Sequence, residues 1–426
     1  MNYDICVLGL GYIGLPTASI FATRGKKVLG VDVVPRVVET INDGRIHIEE
    51  PDLDVLVRAA VQSGNLRAAT SPAASAVYII AVPTPFKATA TNPRAPDLTY
   101  VEAATRSLAS VIEPNALVIL ESTSPVGTTQ MMHDWLYQEL ALLDRLGPSL
   151  SVPDLTAASA TFPLHFAHCP ERILPGQMLK ELVSNDRIAG GLTPAAAIRA
   201  KALYEVFCSA EIFLTDARTA EMAKLTENSF RDVNIAFANE LSLICEKLDI
   251  NVWELIRLAN RHPRVKILQP GPGVGGHCIA VDPWFIVAAA PEQSRLIRTA
   301  REVNDSKPHH IIAQVKTHAA RFKAPVIACL GLAFKADVDD LRESPAMEIV
   351  LELAQSNVGQ LVVSEPHVQE LPRLLAVHSN IRYAGGEEAV RSADIVLLLV
   401  NHRSFLSLDR ALLSNKVVID TRGIWR

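Results

Sequence analysis

The 426-residue chain lacks several features that would place it in whole classes of protein. No apolar run approaches the ~18 residues a membrane-crossing helix needs. The longest candidates, such as Ile395 to Val400, are short and rich in β-branched residues, and read as buried parallel strands. A basic stretch followed by an apolar one is missing from the start, where Tyr3 to Leu10 reads as a strand instead of a targeting segment. Basic charge is not in excess: 41 Lys and Arg against 46 Asp and Glu give a formal net charge of −5. That excludes bulk electrostatic binding of nucleic acid and leaves room for a local basic pocket. Cysteine is sparse, six in all with no CxxC pair, so a disulfide framework is excluded and the reduced thiols of a cytoplasmic protein are expected.

What is present is core material. Hydrophobic residues make up 49% and charged residues 20%, a balance that excludes disorder. At ~150 residues per domain the length predicts about three domains. Strand signals at Ile5–Leu8, Val28–Val31, Val77–Val82 and Leu117–Leu120 alternate with helical segments, the βαβ pattern of a doubly wound parallel sheet. The stretch from Gly147 to Phe162, with Pro148 and Pro153, reads as a surface loop. From about Thr219 to Leu248 neither Gly nor Pro occurs, which predicts a helix ~45 Å long that connects domains and offers a subunit interface. A second α/β unit begins near Ala324, with strands at Val326–Leu330, Gln360–Val363, Ile395–Val400 and Val417–Ile419. Its Gly331-Leu332-Ala333-Phe334-Lys335 stands where the first unit has Gly9-Leu10-Gly11-Tyr12-Ile13-Gly14, a degenerate internal repeat. The fold class is therefore α/β: two Rossmann-like parallel-sheet domains joined by a central helical domain with a long connecting helix.

Gly9-x-Gly11-x-x-Gly14 follows the first strand and opens a helix. Gly9 permits the tight turn, Gly11 a close approach of pyrophosphate, Gly14 close helix–strand packing, and the helix N-terminus supplies unpaired N–H groups. Asp32 ends the second strand, about 20 residues on, where an acid binds ribose hydroxyls and repels a 2′-phosphate. NAD is therefore expected over NADP, although Arg36 could pair with that phosphate or stack on the adenine. Val82-Pro83-Thr84-Pro85 and Glu121 to Thr128 follow strand ends, where ligands of open sheets lie, and suit a rigid polar cofactor wall or plain turns.

Chemistry concentrates at Gly275-Gly276-His277-Cys278-Ile279-Ala280-Val281-Asp282. Glycines before the cysteine let the loop pass close to a ligand, and a thiol there serves as a nucleophile if its thiolate is stabilised. A His277–Cys278 metal pair finds no further ligands at zinc spacing, so no metal is expected. Cys6, Cys329 and Cys245 read as buried hydrophobes, and Cys169 and Cys208 are undecided. Lys224, Asn228 and Arg231 lie at i, i+4 and i+7 on one helix face, either a solvated stripe or an amine, amide and guanidinium aimed at one ligand. Met222, Leu225 and Val233 supply apolar surface elsewhere on that helix. Arg261-His262-Pro263-Arg264, Lys335, Arg342 and Arg422 are local anion sites, since the arginine fork suits phosphate.

These motifs together resemble the UDP-glucose/GDP-mannose dehydrogenase family over essentially the whole chain. The carriers are the Gly9 fingerprint, Val82-Pro83-Thr84-Pro85, Ser122-Thr123-x-Pro125-x-Gly127-Thr128 and Pro170-Glu171-Arg172. They continue with Lys224-x-x-x-Asn228-x-x-Arg231, Gly275-Gly276-x-Cys278-x-x-x-Asp282, Phe334-Lys335-x-Asp337 and Arg342-x-Ser344-Pro345. Asn260 to Arg264 and Gly271 to Cys278 look most like the branch acting on UDP-N-acetyl-D-mannosamine. The resemblance implies a four-electron oxidation of a sugar-nucleotide C6 alcohol to a carboxylate with two NAD, for surface polysaccharide precursors. The best-fitting substrate is UDP-N-acetyl-D-mannosamine, with UDP-N-acetylglucosamine the alternative and a two-electron β-hydroxy acid oxidation a more distant one.

By the same resemblance, Cys278 attacks the C6 aldehyde, and Lys224, helped by Asn228, is the acid/base or oxyanion group. Asp282 orients Lys224 or a water, and Thr123 and Glu171 line the reacting carbon. Gly9, Gly11, Tyr12, Ile13, Gly14, Asp32, Arg36, Pro83, Thr84, Thr123 and Arg342 are expected at the cofactor. Arg172, Ile173, Lys224, Asn228, Arg231, His262, Arg264 and Gly275 are expected at the sugar nucleotide, with Phe334, Lys335 and Arg422 at its uridine diphosphate. The implied division is 1–208 for the NAD-binding Rossmann-like domain, 209–307 for a central helical dimerisation domain, and 308–426 for a UDP-sugar-binding Rossmann-like domain. The assembly is a homodimer or dimer of dimers in which the arginine matching Arg264 can come from the neighbouring subunit. Neither nucleic acid nor membrane is a partner. Three departures stand out: Pro175 replaces a second glutamate common in UDP-glucose dehydrogenases, His277 replaces a tyrosine or serine, and the connection from Arg264 to Cys278 is short. The first two point away from simple UDP-glucose to a sugar pocket shaped for an N-acetyl group, and the third bears on the partner of Arg264.

Overall fold

The computed structural model describes residues 3–48, 50–87, 94–146, 162–173, 176–276 and 278–425. The loop expected from Gly147 up to Thr161, and also Pro175 and His277, lie outside these. The chain forms two compact units, Met1–Thr226 and Glu227–Arg426, divided within the helix Ala217–Lys247. That helix matches the Gly- and Pro-free stretch.

The first unit is built on β1 (Tyr3–Leu8), β2 (Val28–Val31), β3 (Leu66–Ala69), β4 (Ser75–Ile80), the short antiparallel pair β5 (Phe86–Lys87) and β6 (Ala95–Pro96), β7 (Leu117–Leu120), β8 (His165–His168), β9 (Arg187–Gly191) and β10 (Ile212–Asp216). Its eight-stranded sheet runs β10-β9-β8-β7-β4-β1-β2-β3. The core of that order, with the small pair set aside, is the Rossmann order, which puts the ligand crevice where β1 and β4 diverge. All neighbours are parallel except β8 and β9, so the expected parallel sheet carries an antiparallel return at one side. Side chains alternate across β1: Ile5 and Val7 face Leu15, Phe21 and Ile79, while Cys6 and Leu8 face Tyr78, Ile80 and Met132. Both faces are covered, which is why the strand reads as one apolar run. Each fully buried aliphatic here contributes about 1.5–3 kcal/mol.

The second unit holds the rest of the long helix, the helices Val252–Ala259, Asp282–Ala289 and Arg295–Ala319, and a parallel sheet of β11 (Val326–Leu330), β12 (Gln360–Ser364), β13 (Ile381–Tyr383), β14 (Ile395–Leu398) and β15 (Val417–Asp420) in the order β13-β12-β11-β14-β15. Arg295–Ala319 runs unbroken through Pro308. The two long helices are joined by a buried polar set. Arg301 Nη1 donates to Asp232 Oδ1 at 2.6 Å, and Asn304 Nδ2 donates to the same oxygen at 2.8 Å. Asn239 donates to Asn304 Oδ1 at 2.8 Å and accepts the Gly271 N–H at 2.8 Å, which fixes the entry to the Cys278 loop. On the long helix Met222 is exposed and Leu225 fully buried.

Candidate active site

In the first unit the glycine fingerprint behaves as its spacing predicts. Gly9 has φ +91°, and a Cβ there would lie 2.6 Å from the Ala81 carbonyl oxygen. A Cβ on Gly14 would lie 1.8 Å from the Gly9 carbonyl oxygen. These two glycines are forced by packing. A Cβ on Gly11 would meet open space, so packing does not require glycine there, and close approach of a ligand to the backbone does. The helix Gly14–Thr23 begins directly after this turn. Asp32 is half-buried; Oδ2 accepts the Leu10 N–H at 3.1 Å and Oδ1 the Val34 N–H at 3.0 Å. Arg36 is exposed beside it in sequence. This set fits an NAD pyrophosphate and adenosine ribose.

The two expected wall loops are tied to each other. Thr84 Oγ1 donates to the Thr123 carbonyl at 2.6 Å and Ser122 Oγ to the Val82 carbonyl at 2.6 Å. The Glu171 carboxylate is buried and fully engaged: Oε2 accepts from Arg187 Nη2 at 2.7 Å and Oε1 from the Arg172 N–H at 2.7 Å. Arg172 in turn donates from Nη1 to the Asp186 carbonyl at 3.1 Å, and Ile173 is half-buried. Glu121 lies in the same cluster, accepting from Tyr204 Oη at 2.9 Å and Thr17 Oγ1 at 3.2 Å. Burial, and then the Glu171 carboxylate, push its carboxyl up to about 7. One guanidinium thus serves two carboxyls, and the second proton-holding group relieves the repulsion.

Lys224 is half-buried on the long helix. Three residues earlier, Glu221 is committed elsewhere: its carboxylate accepts the Gly127 N–H at 2.5 Å, the Thr129 N–H at 2.8 Å and Thr129 Oγ1 at 2.6 Å, so it caps the helix Thr128–Leu142. His168 is fully buried, and burial together with the Lys224 ammonium lowers its imidazole to about 3. Lys224 therefore has a neutral ring, not a second cation, beside it.

In the second unit Asn228 Nδ2 donates to Asp282 Oδ2 at 2.5 Å. Asp282 is buried and holds this amide, one helical turn on from Lys224. None of the six cysteines, all among the described residues, is disulfide-bonded, and Cys278 alone is exposed. Its carbonyl accepts the Val281 and Asp282 N–H groups at 3.0 and 2.9 Å, so the residue sits on the turn that opens the helix Asp282–Ala289. The glycines before it are set by close approach: a Cβ on Gly275 would lie 2.2 Å from the Glu343 carbonyl oxygen, and one on Gly276 3.1 Å from the Phe334 ring. Phe334 and the Cys278 loop are thus neighbours. Arg422 lies against Gly271, where a Cβ would stand 2.7 Å from Nη1, and its Nε donates to the Leu399 carbonyl at 3.1 Å. Burial lowers its guanidinium to about 10, so it stays cationic at neutral pH. Arg231, His262, Arg264 and Lys335 are exposed, and Arg342 is paired with Asp340 at 2.6 Å.

A dinucleotide cradle on one sheet, a second open α/β sheet with buried and surface cations, and an exposed thiol on a glycine-bounded turn define a nicotinamide-dependent dehydrogenase with a covalent step available to it. Residues 3–208 match the NAD binding domain of the UDP-glucose/GDP-mannose dehydrogenase family, residues 218–306 its central domain and residues 328–426 its UDP binding domain, and the chain belongs to that family. It is 58% identical over 421 residues to an NDP-N-acetyl-D-galactosaminuronic acid dehydrogenase of Ralstonia nicotianae, covering 99% of this chain and 96% of that one. It is 54% identical over 430 residues to the UDP-N-acetyl-D-mannosamine dehydrogenase of Escherichia coli K12, covering 99% of each. A UDP-D-ManNAc dehydrogenase structure from Pyrococcus horikoshii superposes with a TM-score of 0.85 at 39% identity, covering 100% of this chain and 96% of that one. The protein is an NAD-dependent nucleotide-sugar dehydrogenase, and among its described residues no helix is long and apolar enough to cross a membrane.

Proposed function

We propose that this enzyme oxidises C6 of UDP-N-acetyl-D-mannosamine to give UDP-N-acetyl-D-mannosaminuronate, in two oxidations joined by a covalent thioester. The exposed thiol of Cys278 on its glycine-bounded turn carries the reading, because two successive oxidations without loss of the aldehyde need a covalent handle. NAD supplies the hydride acceptor for each oxidation. Lys224 in its neutral amine form takes the proton from the C6 hydroxyl as the aldehyde forms, and the ammonium so produced steadies the oxyanion. The Cys278 thiolate adds to the aldehyde carbon, forming a C–S bond and a thiohemiacetal. Loss of the second hydride from that carbon leaves a thioester, and water cleaves its C–S bond to release the carboxylate and the thiol. The start of the helix Asp282–Ala289 favours the thiolate. Asn228, fixed by Asp282, orients the attacking water, and Thr123 and Glu171 shape the space around the carbon.

Arg172, Ile173, Arg231, His262, Arg264 and Gly275 hold the sugar and its phosphates in this reading, and Phe334, Lys335 and Arg422 the uridine diphosphate. Gly9, Gly11, Tyr12, Ile13, Gly14, Asp32, Arg36, Pro83, Thr84 and Arg342 serve NAD. The division 1–208, 209–307 and 308–426 is supported by the three family domains. A galacto-configured substrate is the second reading, favoured by the 58% identical relative.

NADH yield on UDP-N-acetylmannosamine, UDP-N-acetylgalactosamine, UDP-N-acetylglucosamine and UDP-glucose, each with NAD and NADP, tests this. We expect two NADH per sugar and the highest kcat/KM with the mannosamine. One NADH per sugar would refute the four-electron scheme, and a higher kcat/KM with the galactosamine would establish the second reading.

A homodimer or dimer of dimers, in a cytoplasm that keeps Cys278 reduced, completes the proposal. Phe230, Phe237 and Ile244 are exposed at heptad spacing along the long helix, an apolar seam suited to a second copy. Phe237→Glu should shift sedimentation toward the monomer, and an unchanged assembly would remove this seam from the interface.

A further inference from the structure

We propose that Glu365 is a positioning residue for the nucleotide end of the substrate: with His402 it holds the backbone N–H groups of Leu332, Ala333 and Asp337, and so fixes the turn that carries Lys335 to a diphosphate. The inference rests on the reading that uridine diphosphate binds through Phe334 and Lys335.

The two α/β sheets are built alike at this point. Gly9 has φ +91° and its N–H donates to the Val31 carbonyl at 2.8 Å; Gly331 has φ +95° and donates to the Ser364 carbonyl at 2.8 Å. An acid follows the second strand of each sheet. Asp32 is half-buried and takes one loop N–H, that of Leu10. Glu365 has no exposed surface, and its Oε2 takes two, Leu332 at 2.7 Å and Ala333 at 3.0 Å, while Oε1 takes the His367 N–H at 3.1 Å. The extra methylene of glutamate gives that reach. A carboxylate so enclosed has no face left for ribose hydroxyls.

Two more N–H groups of the loop are committed. The Phe334 N–H donates to the Asp340 carbonyl at 3.2 Å and the Asp337 N–H to His402 Nδ1 at 2.9 Å. His402 is fully buried; with Nδ1 accepting, its proton is assigned to Nε2, which faces Glu365 Oε2 at 3.0 Å. The same assignment answers the cluster of Asp337, His367 and His402, whose ligand atoms lie within 4.8 Å of one another. Both His402 nitrogens are used, and Asp337 is taken by Arg403 at 3.2 Å, so the cluster is a brace. Burial alone would raise the Glu365 carboxyl, but the bonds from His402 and the Leu332 N–H outweigh it and hold it below the usual range, so it stays anionic. The N–H groups of residues 331–334 and 337 are thus taken, and an anion at this loop depends on the stretch at Lys335 and on Arg422.

The test is Glu365→Gln in the full chain, with UDP affinity by calorimetry and steady-state kinetics. A single amide oxygen cannot replace the carboxylate toward three N–H donors. UDP affinity should fall about tenfold and KM for the UDP-sugar rise in step, with kcat and KM for NAD within about twofold. His402→Gln, a milder change, should show the same split at about threefold and serves if Glu365→Gln folds poorly. Lys335→Ala separates the two levels. If it weakens UDP while both brace variants bind UDP normally, the brace is overturned and the UDP placement stands. If Lys335→Ala itself leaves UDP affinity unchanged, the placement fails and the inference with it. Equal damage to kcat and to KM for both substrates would mark a merely structural role and also overturn it.

Discussion

Replacing Cys278 by alanine should lower production of sugar acid by ~10³-fold or more while leaving NAD affinity and thermal stability unchanged. The stability half follows from exposure: Cys278 fills no core space, so truncation opens no cavity. The activity half follows from the competing thiols. Cys6 and Cys329 are pushed by burial up to about 12, and Cys169, beside Glu121 and Glu171, is pushed higher still, so none of these presents a thiolate at neutral pH. Cys169 directly precedes Pro170-Glu171-Arg172 and is the natural rival in sequence, but burial and two carboxylates hold its proton in place. Without Cys278 the first oxidation has no acceptor for its aldehyde, and the unfavourable alcohol–aldehyde equilibrium returns it. The check is sugar acid formed per enzyme and the NADH count per sugar consumed. Sugar acid formed by the alanine variant at the parent rate would refute the thioester route.

What the sequence could show depended on range. Val28–Val31, Leu117–Leu120 and Val326–Leu330 are strands covered on both faces, and burial on both faces leaves an unbroken apolar signal. His165–His168 and Arg187–Gly191 carry histidine, arginine and glycine, and their antiparallel pairing has no local mark. The Gly9 and Cys278 motifs were legible because turn, glycine and reactive group sit within a few residues. The groups that hold them were not. Glu221 caps a helix whose first residues lie 92–94 positions earlier, Asp232 meets Arg301 across 69, and Glu365 meets His402 across 37. Each is a buried polar group whose partner is chosen by topology, and no spacing rule on one helix or strand reaches that far. The acid after the second strand shows the limit well. Asp32 and Glu365 occupy matching places, yet only the fold shows that the second is sealed by three N–H groups and a histidine.

Lys224→Met should lower kcat by ~10²–10⁴-fold with KM for NAD within about twofold. Methionine keeps the length and apolar stem of lysine on the long helix, so the half-buried position stays filled and the loss is that of the ammonium. The surroundings show why no neighbour can stand in. Glu221, three residues back, is saturated by Gly127 and Thr129. Glu171 is locked to Arg187. His168, with its imidazole held down to about 3, neither donates a cationic proton at neutral pH nor becomes a base matched to an alcohol. The sign of that shift also bears on Lys224→Met. Burial is the larger cause and persists, but the Lys224 ammonium is the second cause and is removed, so the His168 value should rise toward its ordinary range and stay depressed. A pH–rate profile together with histidine NMR titration reads both effects. A kcat for Lys224→Met within tenfold of the parent would remove Lys224 from the chemistry. An unmoved His168 titration would show that the lysine charge does not reach the ring, leaving the kcat loss to be explained by proton transfer at C6 alone.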